Sequence, residues 1–243
     1  MKLRIAPFLL VIFALAACGG GDGKGSTGDA GAQSDAQASD GGQDGALTDG
    51  GDAGSDAAMV VLEPGIIAPT PYLSSADSPF GPVNFPSYFH LEDFEDGLLN
   101  TPGVSADVGV NAKQSYPSIA DSVDGDDGDA TDGTCTGCDD WFYSSGATGI
   151  NFTFDSSVLG QYPTHAGIVW TDGGYNCSVT FTAYDANDDV IYSDTFEGIG
   201  DNSNNRETAE DRFFGVVSPV GVKRLFISNT GGGIEVDHLQ YGR

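Results

Sequence analysis

The chain has 243 residues, with 36 Asp and Glu against nine Lys and Arg, and a formal net charge of −27. A surface this acidic repels DNA, RNA and anionic headgroups, and no Lys/Arg stripe offsets it, which excludes nucleic-acid binding. The same surface attracts divalent cations, so Ca2+ is the cofactor to expect.

Residues 1–17 read as a signal peptide. A basic start, Met1-Lys2-Leu3-Arg4, precedes an apolar run from Phe8 to Ala17. That run is too short for a membrane span of ~20 residues. It ends in Leu15-Ala16-Ala17-Cys18, a small-residue cleavage site followed by cysteine. The stretch resembles the lipobox of bacterial lipoproteins. The resemblance implies lipidation of Cys18, removal of the peptide before it, and a membrane partner through the lipid. Gly19, rather than Asp, after the cysteine points to the outer membrane and cell surface.

Residues 18–58 are nearly all Gly, Asp, Ala, Ser and Gln, with eight Asp against one Lys. Such a segment lacks the apolar content to offset the entropy of ordering, which predicts a disordered linker. As a flexible coil of about 40 residues it reaches roughly 35 Å. Residues 59–86 hold apolar Val60-Val61-Leu62 and Ile66-Ile67, together with six prolines from Pro64 to Pro86. The prolines forbid a helix and disfavour a central strand, so an extended lead-in along the domain edge is expected.

From Ser87 to Arg243, short runs rich in Val, Ile, Phe, Thr and Tyr alternate with Gly/Asp/Asn clusters. This is the pattern of an all-β, antiparallel, jelly-roll-like sandwich. Strands are predicted over 88–94, 140–144, 149–154, 165–171, 177–184, 190–196, 212–217, 222–228 and 233–241. In one of them Val179, Phe181 and Ala183 alternate with Thr180, Thr182 and Tyr184, a period of two. In the last, apolar residues fall at Ile234 and Val236 and then at Leu239 and Tyr241. That one-residue slip of phase requires a bulge at Asp237-His238. No window shows helical periodicity, although Thr208–Arg212 fits a single turn.

Several residue groups carry candidate chemistry. Asp121, Asp124, Asp126, Asp127, Asp129 and Asp132 crowd into twelve residues. Carboxylates this close are tolerable when a cation bridges them, and Gly128 rules out an EF-hand. A second metal candidate pairs Glu92, Asp93 or Glu95 on the first predicted strand with Asp237 on the last. Sugar binding needs an aromatic face beside hydrogen-bonding groups. Trp141, Tyr143, Trp170 and Tyr175 are the candidates, with Asp172 and Asn176 in support. Trp170 lies in an apolar run and reads as core, whereas Trp141 follows polar sequence and reads as exposed. Cys135, Cys138 and Cys177 are disulfide candidates in an exported protein, with zinc coordination as the alternative. A thioredoxin-like Cys-x-x-Cys is out of place after Asp/Gly-rich sequence. No G-x-S-x-G, H-E-x-x-H or phosphate loop is present. His165 and His238 read as structural groups at strand ends.

Six stretches carry a family resemblance. The first is Phe89-His90-Leu91-Glu92-Asp93-Phe94-Glu95-Asp96-Gly97, followed closely by Leu99-Asn100-Thr101-Pro102-Gly103-Val104. Next are the Asp121–Gly128 run and Thr164-His165-Ala166-Gly167-Ile168-Val169-Trp170-Thr171-Asp172-Gly173. The last are Thr208–Val216 and Ile234-Glu235-Val236-Asp237-His238-Leu239-Gln240-Tyr241-Gly242. With these, the domain resembles a group of bacterial exported proteins of the PEP-CTERM (exosortase-sorted) type. The resemblance implies a cell-surface β-sandwich and no particular activity. The chain departs from that type in stopping at Tyr241-Gly242-Arg243 without a sorting tail, and the N-terminal lipid is expected to replace it. At fold level the domain also looks like jelly-roll carbohydrate-binding modules, which implies a structural calcium between the first and last strands. The expected function is a lipid-anchored envelope protein whose non-catalytic, calcium-stabilised sandwich binds glycan or another envelope component. A purely structural envelope protein is the alternative, and a two-carboxylate glycosidase comes third.

Overall fold

The computed structural model describes residues 60–112, 122–123, 140–145, 149–173, 177–200, 211–231 and 233–243. They form twelve strands: β1 (Gly65–Pro71), β2 (Phe89–Glu92), β3 (Val104–Ala106), β4 (Val110–Ala112), β5 (Trp141–Ser145) and β6 (Ile150–Phe154), then β7 (His165–Asp172), β8 (Cys177–Tyr184), β9 (Val190–Ile199), β10 (Arg212–Val217), β11 (Arg224–Asn229) and β12 (Gly233–Gly242). A single helical turn, α1 (Ser156–Leu159), is capped by the Asp155 carboxylate, which accepts from the Ser157 N–H.

Two antiparallel sheets face each other. Sheet A runs β1-β10-β7-β12-β5-β4, with β2 also on β12, and sheet B runs β3-β6-β11-β8-β9. From β5 onward nearly every connection crosses to the other sheet, the alternation of a jelly roll. The fold class read from the sequence is therefore the one observed, and the nine predicted strands are present with ends shifted by at most three residues. β1, β3 and β4 were not predicted.

Period-two alternation builds the core between the sheets. On β8, Val179, Phe181 and Ala183 are buried in it, together with Phe152, Phe214, Trp170 and Leu225. The other face of β8 is polar, with Thr180 Oγ1 2.9 Å from Thr195 Oγ1 and Thr182 Oγ1 2.8 Å from Ser193 Oγ. Beyond β8 lies β9, an edge strand on which Asp194 sits between Tyr192 and Phe196 on the core-facing side. An inward-facing charge of this kind guards a sheet edge against further pairing.

The predicted bulge is present in β12. Asp237 stands opposite Val169 and Gln240 opposite Gly167, so β12 spends three residues where β7 spends two. His238 takes a positive φ of 41° to make the step. Ile234 and Val236 before the bulge, and Leu239 and Tyr241 after it, therefore all reach the same core.

Sheet A is covered on both faces, which the sequence did not announce. Its central strands β7 and β12 are buried along almost their whole length. Residues 60–88 cross the face turned away from sheet B. There β1 pairs with β10 as an edge strand whose register shifts between Ile67 and Thr70, around Pro69. Tyr72 and Phe80 then join Val123, Val169 and Phe213 in a second apolar cluster. Gly167 is required beneath it, because a Cβ there would come within 2.3 Å of the Phe213 ring. The extended lead-in is thus a third layer of the domain.

Candidate functional site

Three polar or aromatic constellations remain once the core is set aside. The first surrounds the bulge on the outer face of sheet A. Ile234 and Val236 point into the core, so Glu235 and Asp237 alternate to the outer side, and both are buried. Glu235 stands directly opposite Asp172 on β7 and opposite Tyr143 on β5. The Asp237 carboxylate accepts from the Val123 N–H at 3.0 Å and from the His238 N–H at 2.6 Å. Asp140 and Asp211 are also buried.

Beside these carboxylates runs a buried chain of hydrogen bonds into the third layer. Ser78 Oγ accepts from the Phe80 N–H and donates to Gln240 Oε1. Gln240 Nε2 donates to Tyr72 Oη at 2.9 Å, and that oxygen is 2.8 Å from His238 Nδ1. The Tyr72 hydroxyl thus joins Gln240 to His238. His238 is buried within this chain.

The second constellation is the loop after β2, and it corrects one expectation. β2 does neighbour β12, but Glu92 pairs with Leu239, whose side chain faces the core, whereas Asp237 faces away from it. The structure does not bring Glu92 and Asp237 together. The Glu92 carboxylate instead accepts the N–H groups of Phe94, Asn100 and Thr101, which tie the loop down. Asp93 is exposed and accepts from the Glu95 N–H. Glu95 accepts from the Asp140 N–H at 3.2 Å. Among the described residues no three His, Cys, Asp or Glu side chains converge as a metal site.

The aromatic expectations divide. Trp170 is fully buried in the core, as expected. Trp141 corrects the other: it is 2% exposed, on the side of β5 opposite to core-facing Phe142. Tyr143 is half-buried and Asp172 is buried, so neither presents an open sugar-stacking surface. Cys177 is buried in the core with its Sγ 2.7 Å from the Gly173 carbonyl oxygen. Cys18, Asp121, Asp124, Asp126, Asp127, Asp129, Asp132, Cys135, Cys138, Tyr175, Asn176 and the turn expected at 208–210 lie outside the described residues.

The third constellation was missed from sequence. Phe89 starts β2 and stands beside Gly242, which in turn stands beside His165 on β7. Phe85 stacks on Phe89 with ring centroids 4.9 Å apart and planes 21° from parallel. His165 meets the faces of Phe80 and Phe85 edge-on at 5.5 and 5.1 Å. Phe89 is 39% exposed, and it is the one exposed aromatic side chain among the described residues. The density of aromatics in Phe85-Pro86-Ser87-Tyr88-Phe89-His90 is the sequence signal that marks it.

On the core-facing side of β2, His90 stacks against Tyr88 at 5.6 Å and meets Tyr241 at 5.2 Å. Burial pushes both phenols up to about 12, so they remain donors, to Gln161 O from Tyr88 and to Pro102 O from Tyr241. Burial also lowers the pKa of His90 and of His165 below the ordinary 6.5. On acidification the unfolded chain therefore takes up these protons first. Their contribution to stability is complete above about pH 6.5 and is lost as pH falls through the folded-state values. Imidazole titration by NMR is expected to place both midpoints below 6.5, and a midpoint above it for either residue contradicts the burial described.

No family model and no curated protein matches the chain. Among solved structures, the chain is similar to the enzymatically active domain of bacteriophage CBA120 tailspike protein 4, at 14% identity and a TM-score of 0.32. That match covers 62% of this chain and 20% of the tailspike chain, so the chain spans about a fifth of that structure's length. It is similar at 12% identity to the lectin domain of lectinolysin complexed with Lewis B antigen, with a TM-score of 0.31 and coverage of 59% and 94%. A third similarity, also at 12% identity, is to TmCBM61 in complex with β-1,4-galactotriose, with a TM-score of 0.30 and coverage of 63% and 95%. At these scores the sandwich assignment rests on the two antiparallel sheets themselves.

Proposed function

We propose that the protein is a lipid-anchored cell-envelope module whose sandwich binds glycan without catalysing a reaction on it. The observation that carries this reading is the exposed ring of Phe89, stacked on half-buried Phe85 at the end of a sheet. Carbohydrate recognition requires an open ring face beside hydrogen-bonding groups, held by a scaffold that does not rearrange. The acidic surface favours a neutral glycan over a polyanion. The anchor is the lipid on Cys18, supported by the lipobox-like Leu15-Ala16-Ala17-Cys18. Of the strand edges that the purely structural alternative could use for self-assembly, Asp194 guards the one at β9. A neutral-glycan array probed with the full chain lacking residues 1–17 tests the binding reading. At least one class of neutral oligosaccharide is expected to bind, and silence across the array overturns the proposal.

Calcium belongs to the same proposal as a stabiliser. Its support is that Ser122-Val123, docked on Asp237, lies directly between Asp121 and Asp124 in the chain. The described residues do not complete a site by themselves, so the Asp-rich run would supply the remaining oxygens. Calcium is expected to raise the melting temperature and chelator to lower it. Calorimetry showing no binding heat, together with melting insensitive to chelator, removes calcium from the proposal.

A further inference from the structure

We propose that the stacked Phe85–Phe89 pair at the start of β2 is the sugar platform of this domain and takes the apolar face of a neutral saccharide ring. The inference rests on the glycan-binding reading and assigns it a place. Four features of this corner support the assignment.

The stack is held in place on the sheet, with the Phe89 ring exposed. Gly242 lies beneath it, and a Cβ at that position would come within 2.6 Å of Phe85 and 3.0 Å of Phe89. Only glycine lets both rings settle onto the sheet. From the side, the pair is braced by His165, itself held edge-on to buried Phe80 and hydrogen-bonded through Nδ1 to Thr164 Oγ1 at 3.0 Å. Phe80 in turn meets Phe213 at 5.2 Å in the second apolar cluster. A row of aromatic contacts thus runs from the interior to one exposed ring. A platform ordered before binding spares the ligand the cost of ordering it.

Polar groups flank the rings. Asn84 and Ser87, one residue from Phe85 and two from Phe89 respectively, are exposed. Among the described residues β2 pairs with β12 alone, so no described strand lies along its far edge beside the platform. An extended chain of sugars can lie there with one ring on Phe89 and its hydroxyls against these groups.

The other broad polar surface, the outer face of sheet B, is committed to itself. Thr180 pairs with Thr195, Thr182 with Ser193, and Ser178 with Glu197. Arg224 lies 3.5 Å over the Tyr184 ring and donates to Asn151 Oδ1, with Asp188 beside it. Tyr184 is thereby occupied, and Phe226 on that face is half-buried.

Charge selects among occupants. With a net charge of −27, an anionic polysaccharide or an anionic lipid surface is repelled, whereas a neutral sugar is indifferent to it.

Affinity electrophoresis of the chain lacking residues 1–17 decides the matter, in gels containing galactan, xylan or mixed-linkage β-glucan and with alginate as the anionic arm. Retardation is expected in at least one neutral gel and not in alginate. Phe89→Ala is expected to weaken that retardation about tenfold or more, since one stacked ring contributes on that order. Phe85→Ala is expected to act in the same direction, and Phe226→Ala to leave retardation unchanged. Phe89→Ala removes an exposed ring, and an unchanged melting temperature confirms that its fold is intact. Wild-type retardation that survives both Phe89→Ala and Phe85→Ala overturns this placement while leaving glycan binding standing. Retardation in alginate alone overturns the neutral-sugar claim, and none in any gel overturns glycan binding with it.

Discussion

Replacing Tyr72 by alanine is expected to destabilise the domain by about 3–5 kcal/mol, the range for deleting a large buried aromatic side chain. Tyr72 is fully buried, stacks on Phe213 at 5.9 Å and meets His238 edge-on at 5.4 Å. Its hydroxyl also joins Gln240 to His238. Tyr72→Phe keeps the ring contacts and removes the hydroxyl, leaving a buried donor and a buried acceptor without this partner, at about 1–3 kcal/mol. Urea unfolding followed by the fluorescence of buried Trp141 and Trp170 measures both. A loss below about 1 kcal/mol for Tyr72→Ala would show that residues 60–88 are a detachable linker. The predicted loss means that the fold begins well before Ser87, where sequence patterning alone placed it.

The second large effect is expected at the bulge. Asp237→Ala removes a buried carboxylate that accepts the N–H groups of Val123 and His238. Each of the two buried donors left without this acceptor costs about 1–3 kcal/mol, so a total of about 2–6 kcal/mol is expected. Asp237→Asn keeps one oxygen and should recover part of this. Hydrogen exchange gives the local readout: the Val123 amide is expected to lose protection in Asp237→Ala before the β8 amides do. Unchanged protection at Val123 would mean that Asp237 does not hold that segment onto sheet A.

The bulge shows how much of the molecule can be read from the chain. The slip of phase from Ile234 and Val236 to Leu239 and Tyr241 placed it within two residues, because a strand keeps its buried face on one side. Period-two alternation located β8 to the residue. Strands β3 and β4, of three residues each, are too short for any period to register. β1 was hidden by Pro69 and Pro71, which argue against a central strand and are compatible with an edge.

The candidate site was less legible, and the reason is physical. Polar sequence before Trp141 suggested exposure, but the burial of its side of β5 is a tertiary fact with no local signature. Glu92 and Asp237 do lie on neighbouring strands, as proposed, yet Glu92 is opposite Leu239 and so faces the other way. Register decided that question, and register between distant strands is not written in either one. Phe89 reads as one more core aromatic until its neighbour across the strand proves to be Gly242.

The most direct measurement of the functional account is an NMR titration of the domain with an oligosaccharide from the neutral polysaccharide that retards it. The account predicts that the largest shifts cluster at Phe85, Phe89, His165 and Gly242, with the face around Thr182, Tyr184, Arg224 and Phe226 unmoved. Shifts centred on that second face, or none at saturating sugar, would contradict it.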